Sequence, residues 1–410
     1  MRAERVIDSA LQPSDIDDII TSRRAHVIAV GKAAAAMAAA YLQRTPVGAA
    51  STLVIGTHGR DFLPSNVEWI ESSHPFPDVR SEAAANQALA VAERVHSGEA
   101  LLILLSGGAS ALMAAPIDGI TLADKIATTR LMMNAGADIH ALNTVRRHLS
   151  KIKGGRLAAA CLGTTVTLAL SDVVGNDLNA IGSGPGVPDS TTWADAVAAL
   201  QRHGGDAHAR SVRDALARGV AGELPDTPKP GDPAMRRVHA RVIGSRNDAM
   251  EGARAAASER GYEPFVMAEP VTGEARAAGL EWLDRARRLI GSSARRVCVI
   301  SSGETTVTVT GTGAGGRNLE FALALAEPLS VLPAMAVASI GTDGIDGTSG
   351  VAGGIVDSTT LARATRAGLA PPGNFLAAND SFAFFAPLDD TVRLGRTDTN
   401  VGDLQVLLIG

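Results

Sequence analysis

Gly31-Lys32 stands directly after the apolar run His26–Val30, with Lys32 at the head of an Ala-rich stretch, Lys32–Leu42, that reads as a helix. A cation at a helix N-terminus opposes the helix dipole at a cost of roughly 0.3–1 kcal/mol. Ala35 and Ala36 occupy the positions from which an acid would offset it. A bound phosphate would offset it; the alternative is a solvated lysine that tolerates the small penalty. Arg317 repeats the pattern after Gly311-Thr312-Gly313-Ala314-Gly315-Gly316, with Glu320 as the nearest acid, paired in the poorer order. A phosphoryl-binding arginine and a plain connection from a hairpin to a helix both fit there. In Ser106-Gly107-Gly108-Ala109-Ser110 the glycines allow either a nest of amides for phosphate oxygens or a tight turn with Ser110 as the helix cap. Asp172, in Ser171-Asp172-Val173-Val174-Gly175-Asn176-Asp177, could hold Mg²⁺, accept a proton, or cap its own turn. The loop Gly341–Gly347 adds Asp343 without the spacing of a calcium loop. One lysine, one arginine, several aspartates and Gly-rich turns are what phosphoryl transfer requires, since its catalysis is positioning plus neutralisation of spreading negative charge.

These residues must be presented by strand ends. Short β-branched runs at His26–Val30, Thr52–Ile55, Leu101–Leu105, Thr165–Leu170, Val238–Ile243, Arg296–Ile300, Met335–Ile340 and Gln405–Ile409 read as strands. They alternate with helical stretches such as Ser81–His96, Thr121–Ala135, Arg246–Arg260 and Gly273–Ile290. The alternation predicts an α/β protein with parallel sheets covered on both faces. Thr305–Thr310 alternates strictly after a very short break, which predicts a hairpin and hence a mixed second sheet. Gly222–Pro233 carries four prolines and reads as a linker or exposed crossover. The expected domains are therefore 1–224 and 238–410, joined by a Pro-rich segment over 225–237.

Composition narrows the function. A chain of 410 residues accommodates two or three domains, and a net charge of -5 without basic runs excludes a nucleic-acid footprint. Cys161 and Cys298 sit in apolar runs and read as buried thiols. Met1–Ile20 shows no secretory pattern and no apolar run is long enough to span a bilayer, so the expected location is cytoplasmic. The Ser106 loop lacks the G-K-[ST] ending of a Walker loop, and no G-x-S-x-G elbow occurs. Gly311–Gly316 satisfies G-x-G-x-x-G literally, but no acid follows at the end of the next strand, around Pro333–Ile340, as a dinucleotide site requires.

Taken in order, Val30-Gly31-Lys32-Ala33, His74-Pro75, Leu105-Ser106-Gly107-Gly108, Gly136-Ala137-Asp138-Ile139-His140, Lys153-Gly154-Gly155-Arg156-Leu157-Ala158, Ser171-Asp172-Val173, Gly182-Ser183-Gly184-Pro185, Gly303-Glu304-Thr305-Thr306, Gly315-Gly316-Arg317-Asn318, Gly341-Thr342-Asp343-Gly344 and Thr399-Asn400-Val401 resemble the glycerate 2-kinase family with its C-terminal MOFRL domain. The resemblance runs nearly end to end. It implies an N-terminal Rossmann-like, doubly wound parallel domain and a smaller C-terminal α/β domain, with the active site in the cleft. It also implies phosphorylation of D-glycerate to 2-phosphoglycerate with ATP and Mg²⁺ or another divalent cation, by a monomer or homodimer. Lys32 and Arg317 match the family's catalytic lysine and arginine. Asp172 joins them as the expected catalytic acid or base. Ser106, Gly107, Gly108, Ser110, Glu304, Gly315 and Gly316 are the expected nucleotide contacts, with Asp172 and Asp343 the expected metal ligands. Two alternatives are an NAD(P)H-dependent hydroxypyruvate reductase, a label some members carry, and a non-catalytic sugar-phosphate sensor. Ala109 stands where the family has a third glycine, and Arg396-Thr397-Asp398 where it has Pro-Thr-Gly.

Overall fold

The computed structural model describes residues 23–45, 49–291 and 296–410, together with Ile7 and Ala10. The stretch Met1–Ile20, read above for a signal, otherwise lies outside the described residues. The chain divides into two units, one ending at Ile243 and one running from Gly244 to Gly410.

In the first unit six strands form one sheet: β1 (Ala25–Val30), β2 (Ser51–Gly56), β3 (Glu68–Glu71), β4 (Ala100–Leu105), β5 (Thr164–Leu170) and β6 (Val238–Gly244), in the order β3-β2-β1-β4-β5-β6. The pairs β3–β2, β2–β1, β1–β4 and β4–β5 are parallel. Continuous apolar runs such as Leu101–Leu105 dictate this, because a strand with no polar face must be covered on both sides; every residue of β4 is buried. Alternate side chains go to opposite layers. Val27, Ala29, Leu102 and Leu104 pack with the alanines of helix α1 (Ala34–Arg44), and Ile28, Val30, Leu101 and Ile103 pack with α2 (Val79–Glu93). Further along the chain, α3 (Leu122–Asn134) and α4 (Ile139–His148) complete the part of the unit that matters below. The strand order reverses its direction of growth between β1 and β4. The crevice at the carboxyl ends of those two strands is where such sheets bind ligands.

Val238–Gly244 differs from expectation: it is the edge strand of this first sheet, not the opening of the second domain. The Pro-rich segment before it is a packed crossover. Thr227 is buried and donates to Asp189 Oδ2 at 3.0 Å, and the Asp189 amide donates to the Pro228 carbonyl at 2.9 Å.

The second unit has a six-stranded mixed sheet in the order β11-β10-β9-β12-β8-β7. Its strands are β7 (Glu263–Glu274), β8 (Val297–Thr306), β9 (Met335–Gly341), β10 (Gly353–Asp357), β11 (Thr391–Val392) and β12 (Asp403–Ile409). Only β7–β8 is parallel among these pairs. The sheet is mixed without the expected hairpin, because β8 runs unbroken through Ser301–Glu304 and stops at Thr306. Its buried hydroxyls are satisfied: Ser301 Oγ accepts from Trp282 Nε1 (2.7 Å) and donates to Gln405 (3.1 Å), and Ser302 Oγ donates to the Asp403 carbonyl (2.6 Å). Trp282, on α5 (Ala275–Ile290), meets Phe321 of α6 (Arg317–Ala324) edge-on at 5.6 Å in the core.

Candidate functional site

The loops after β1 and β4 are stitched together at the switch point. The Lys32 amide donates to Gly107 O at 2.9 Å, and the Ala33 amide donates to Ser106 Oγ at 3.1 Å. Gly31 has φ +129°, and a Cβ there would lie 2.1 Å from Ser106 Oγ, so only glycine lets the loops approach this closely. Lys32 does not open the helix. It lies in the turn before α1, which begins at Ala34, and its side chain is half-buried. Gly108 has φ +86°, and a Cβ built there would lie 3.0 Å from the His74 ring and 3.5 Å from Lys32 Cγ. The Gly108 backbone therefore sits directly beside the lysine stem. Neither the Gly107 nor the Gly108 amide donates to another group among the described residues. Ala109 opens a short helical turn without a positive φ, so its departure from glycine leaves the loop geometry intact.

The two serines of this loop are occupied. Ser106 is fully buried, and its hydroxyl accepts from Ala33 and donates to the Val30 carbonyl (3.4 Å). Ser110 Oγ accepts from Lys153 Nζ at 2.5 Å and lies 3.0 Å from Ser183 Oγ. Ser183 gives its own proton to Asn143 Oδ1 at 3.0 Å, so Ser110 is the donor in the serine pair. The result is a directed chain from Lys153 through Ser110 and Ser183 to Asn143. The hydroxyls expected from the sequence are thus committed within the protein, while the Gly107 and Gly108 amides beside the Lys32 stem are not. The sequence reading missed Lys153, although it lies in a Lys-Gly-Gly-Arg motif, because nothing in the spacing ties it to Ser110.

Asp172 follows β5 and is half-buried. Asp343 lies in the second unit, after β9, with its Oδ1 accepting from the Ile345 amide at 3.2 Å. Among the described residues no group of three or more His, Cys, Asp or Glu side chains could hold a metal ion. A magnesium ion held by one carboxylate together with phosphate oxygens and water needs no such group.

In the second unit Arg317 opens α6 as expected, but carboxylates neutralise it. Arg317 Nε lies 2.7 Å from Asp403 Oδ2, Nη2 donates to Asp403 Oδ1 at 3.0 Å, and Nη1 donates to Glu304 Oε1 at 2.9 Å. Burial alone would lower the guanidinium pKa; Asp403 and Glu304 outweigh it and raise the net value. Glu304 therefore contacts Arg317 in this structure, and Glu320 pairs with Arg276 at 2.6 Å instead. Asn318 Nδ2 bridges Asp403 Oδ1 (3.0 Å) and Asp346 Oδ1 (3.3 Å), while Ser339 donates to Asn318 Oδ1 (2.7 Å). Asp346 accepts the Asn318 and Leu319 amides at 3.0 and 2.8 Å, capping the helix. Its burial pushes the carboxyl up to about 6. Asp403 and Asp346 were invisible as site residues in the sequence: one heads an apolar strand and the other looked like a turn.

The Gly311–Gly316 loop spends its amides internally. Gly311 donates to Asn379 Oδ1 (2.8 Å), Gly313 to the Ala378 carbonyl (3.1 Å), Ala314 to Asp380 Oδ1 (2.9 Å) and Gly315 to Thr348 Oγ1 (3.3 Å). A Cβ at Gly316 would lie 2.4 Å from Asp346 Cγ. Close packing accounts for these glycines, and a pyrophosphate would find no cradle of free amides at Gly311, Gly313, Ala314 or Gly315.

Two family models match the chain: a domain of unknown function, DUF4147, over residues 1–217, and the MOFRL family over residues 297–403. A protein of Agrobacterium vitis, provisionally named a hydroxypyruvate reductase, is 37% identical over 99% of this chain and 93% of its own length. A protein of Pyrococcus horikoshii named glycerate 2-kinase is 36% identical with the same coverages. The crystal structure of glycerate kinase from Thermotoga maritima superposes with a TM-score of 0.87 at 32% identity, covering 100% of this chain and 96% of that one.

Proposed function

The chain belongs to the glycerate 2-kinase family, and on that premise we propose that it transfers the γ-phosphoryl group of ATP to the 2-hydroxyl of D-glycerate. The observation that carries the reading is the pair of undonated amides at Gly107 and Gly108, set beside the Lys32 stem at the switch point of the first sheet. Amides and a cation at the carboxyl ends of adjacent parallel strands attract phosphate oxygens. In this reading Lys32 and the Gly107–Gly108 backbone hold the phosphates, and Arg317 stabilises charge that develops on the transferring group. Asp403 takes Arg317 from the side and Glu304 takes one terminal nitrogen, which leaves guanidinium protons for phosphoryl oxygens. Asp172 in the first unit and Asp343 in the second are each a candidate carboxylate for Mg²⁺, whose role when bound is to neutralise phosphate charge. Asp172 is alternatively the base for the acceptor hydroxyl.

No helix among the described residues is long and apolar enough to cross a membrane; with two buried free cysteines, Cys161 and Cys298, this supports a cytoplasmic location. The reductase alternative draws no support from the Gly311–Gly316 loop, where Gly311, Gly313, Ala314 and Gly315 have committed their amides. The test is a pair of assays on the purified protein: D-glycerate with ATP and Mg²⁺, and hydroxypyruvate with NADH. ADP formation in the first alone supports the kinase. NADH oxidation alone replaces it with a reductase, and ligand binding without turnover in either replaces it with a sensor.

A further inference from the structure

We propose that a cavity walled by Lys125, Arg146 and Lys153 in the N-terminal unit is the acceptor site, where these cations recognise a short hydroxy acid by its carboxylate. The inference rests on the kinase reading for the identity of the acid, though not for the presence of an anion site. The cavity measures about 330 Å³; a fourth cation at its wall, Arg130, stacks 4.7 Å over the Phe76 ring, and the rest of the lining is largely apolar, with Ile126 among it. Lys125 and Lys153 are 6% and 2% exposed. Lys125 donates to the Leu149 carbonyl at 3.2 Å, and Lys153 to Ser110 O, Ser110 Oγ and Gly182 O. Arg146 has neither a hydrogen-bond nor an ion-pair partner among the described residues. Among the described residues no carboxylate pairs with any of the three.

Arg147 and Arg317 are treated differently. Arg147, next in sequence to Arg146, pairs with the buried Asp189 at 3.3 Å, and Arg317 has Asp403. Uncompensated buried charge is expensive, so proteins pair it or neutralise it. Burial together with the neighbouring cations presses Lys125 down to about 7 and Lys153 well below its usual value, and burial lowers Arg146 to about 10. An entering anion reverses the sign of each of these interactions.

Size and place select the acceptor over the nucleotide. At about 330 Å³ the cavity is near the lower end for ligand pockets, suited to a three-carbon acid and tight for a nucleoside triphosphate. Gly108 and Ser110 line it, and Gly108 also abuts the Lys32 stem. An acid anchored by its carboxylate among the three cations would therefore direct its hydroxyl toward the rim where phosphates are proposed to lie. Lys153, whose protons go to Ser110 and Gly182, acts by its charge and by holding Ser110; Lys125 and Arg146 are the groups that would contact the carboxylate.

The experiment is calorimetric titration of the full chain, parent and the variants Arg146→Met and Lys125→Met, with D-glycerate, with glycerol, and separately with a non-hydrolysable ATP analogue and Mg²⁺. Thermal unfolding checks that each variant is folded, and Arg146→Lys serves as the charge-conserving control. The expected result is a loss of about tenfold or more in D-glycerate affinity for both Met variants. The same experiment should show partial rescue by Arg146→Lys, weaker binding of glycerol than of glycerate to the parent, and unchanged affinity for the ATP analogue. Unchanged glycerate affinity in the Met variants overturns the proposal. Loss of nucleotide affinity instead overturns it in favour of a phosphate pocket, and failure of the parent to bind glycerate also overturns it. The kinase reading fails separately: a parent that binds glycerate here but forms no ADP leaves the anion site standing, whereas full turnover with unaffected Met variants removes the anion site and leaves the kinase.

Discussion

Arg317 Nε lies 2.7 Å from Oδ2 of Asp403, a carboxylate that is fully buried at the first position of the last strand. The arginine's orientation is therefore fixed by the sheet and not by the glycines before it. Removing the charge of Asp403 leaves a partly buried guanidinium with Glu304 as its remaining acid. Asp403→Asn should destabilise the protein by about 3 kcal/mol, the scale for breaking a buried pair from one side. Urea denaturation reads this, and a change within error of zero would show that Arg317 is held by other means.

Arg317 itself tests the transition-state role. Lysine keeps the charge but not the planar fork that can meet Asp403 and a phosphoryl group together. Arg317→Lys should lower kcat by a large factor, on the scale of about 10³ seen for phosphoryl-transfer arginines, with a modest change in KM for ATP. A raised KM with intact kcat would make it a uniform binding group.

Gly108→Ala tests the phosphate rim. A side chain at φ +86° costs about 1–2 kcal/mol, and its Cβ would crowd the His74 ring at 3.0 Å. The expected outcome is a loss of that stability and a fall of about tenfold or more in kcat/KM for ATP. Ala109→Gly, in contrast, should leave kcat/KM unchanged, since Ala109 has no left-handed backbone to relieve. Steady-state kinetics on both variants separates the two positions.

Asp398 carries a backbone cost. Its φ is +52°, a left-handed conformation that favours glycine. Asp398→Gly should raise stability by about 1 kcal/mol from the backbone, offset in part by the greater freedom of glycine in the unfolded chain and by the loss of the Asp398 side chain's own interactions. A lower melting temperature would contradict this.

Asp346 predicts a pH dependence. Its carboxyl is raised from 3.8 to about 6 in the folded chain. The folded state therefore holds the proton longer than the unfolded one. The residue's contribution is complete below about pH 3.8 and is lost as pH rises to about 6, a swing of about 3 kcal/mol. Asp346→Asn should flatten stability against pH across that window, measured by urea unfolding at fixed pH values. An unchanged slope would place the titration elsewhere.

The first sheet was legible because a doubly covered strand has no polar face to blur it: Leu101–Leu105 reads as a strand and nothing else. β7 was not, because Pro264, Glu269 and Pro270 interrupt it; it is an edge strand with a register shift between Met267 and Val271, where such residues are tolerated. β8 looked broken at Ser301–Glu304 because its hydroxyls are satisfied by α5 and β12, which no local window contains. At the site, the loops after β1 and β4 were found from glycine and charge at strand ends. The commitment of Ser106 and Ser110, the Asp403 carboxylate behind Arg317 and the gathering of Lys125, Arg146 and Lys153 at one cavity were not, since each depends on residues far apart in sequence.

The central claim is phosphoryl transfer from ATP to D-glycerate. The measurement that tests it most directly is phosphorus NMR of a reaction containing the protein, ATP, Mg²⁺ and D-glycerate. The account predicts that the γ-phosphate resonance of ATP is replaced by that of 2-phosphoglycerate, and that Lys32→Ala suppresses the conversion. An ATP spectrum that stays unchanged with active parent protein, while the same preparation oxidises NADH in the presence of hydroxypyruvate, would contradict it.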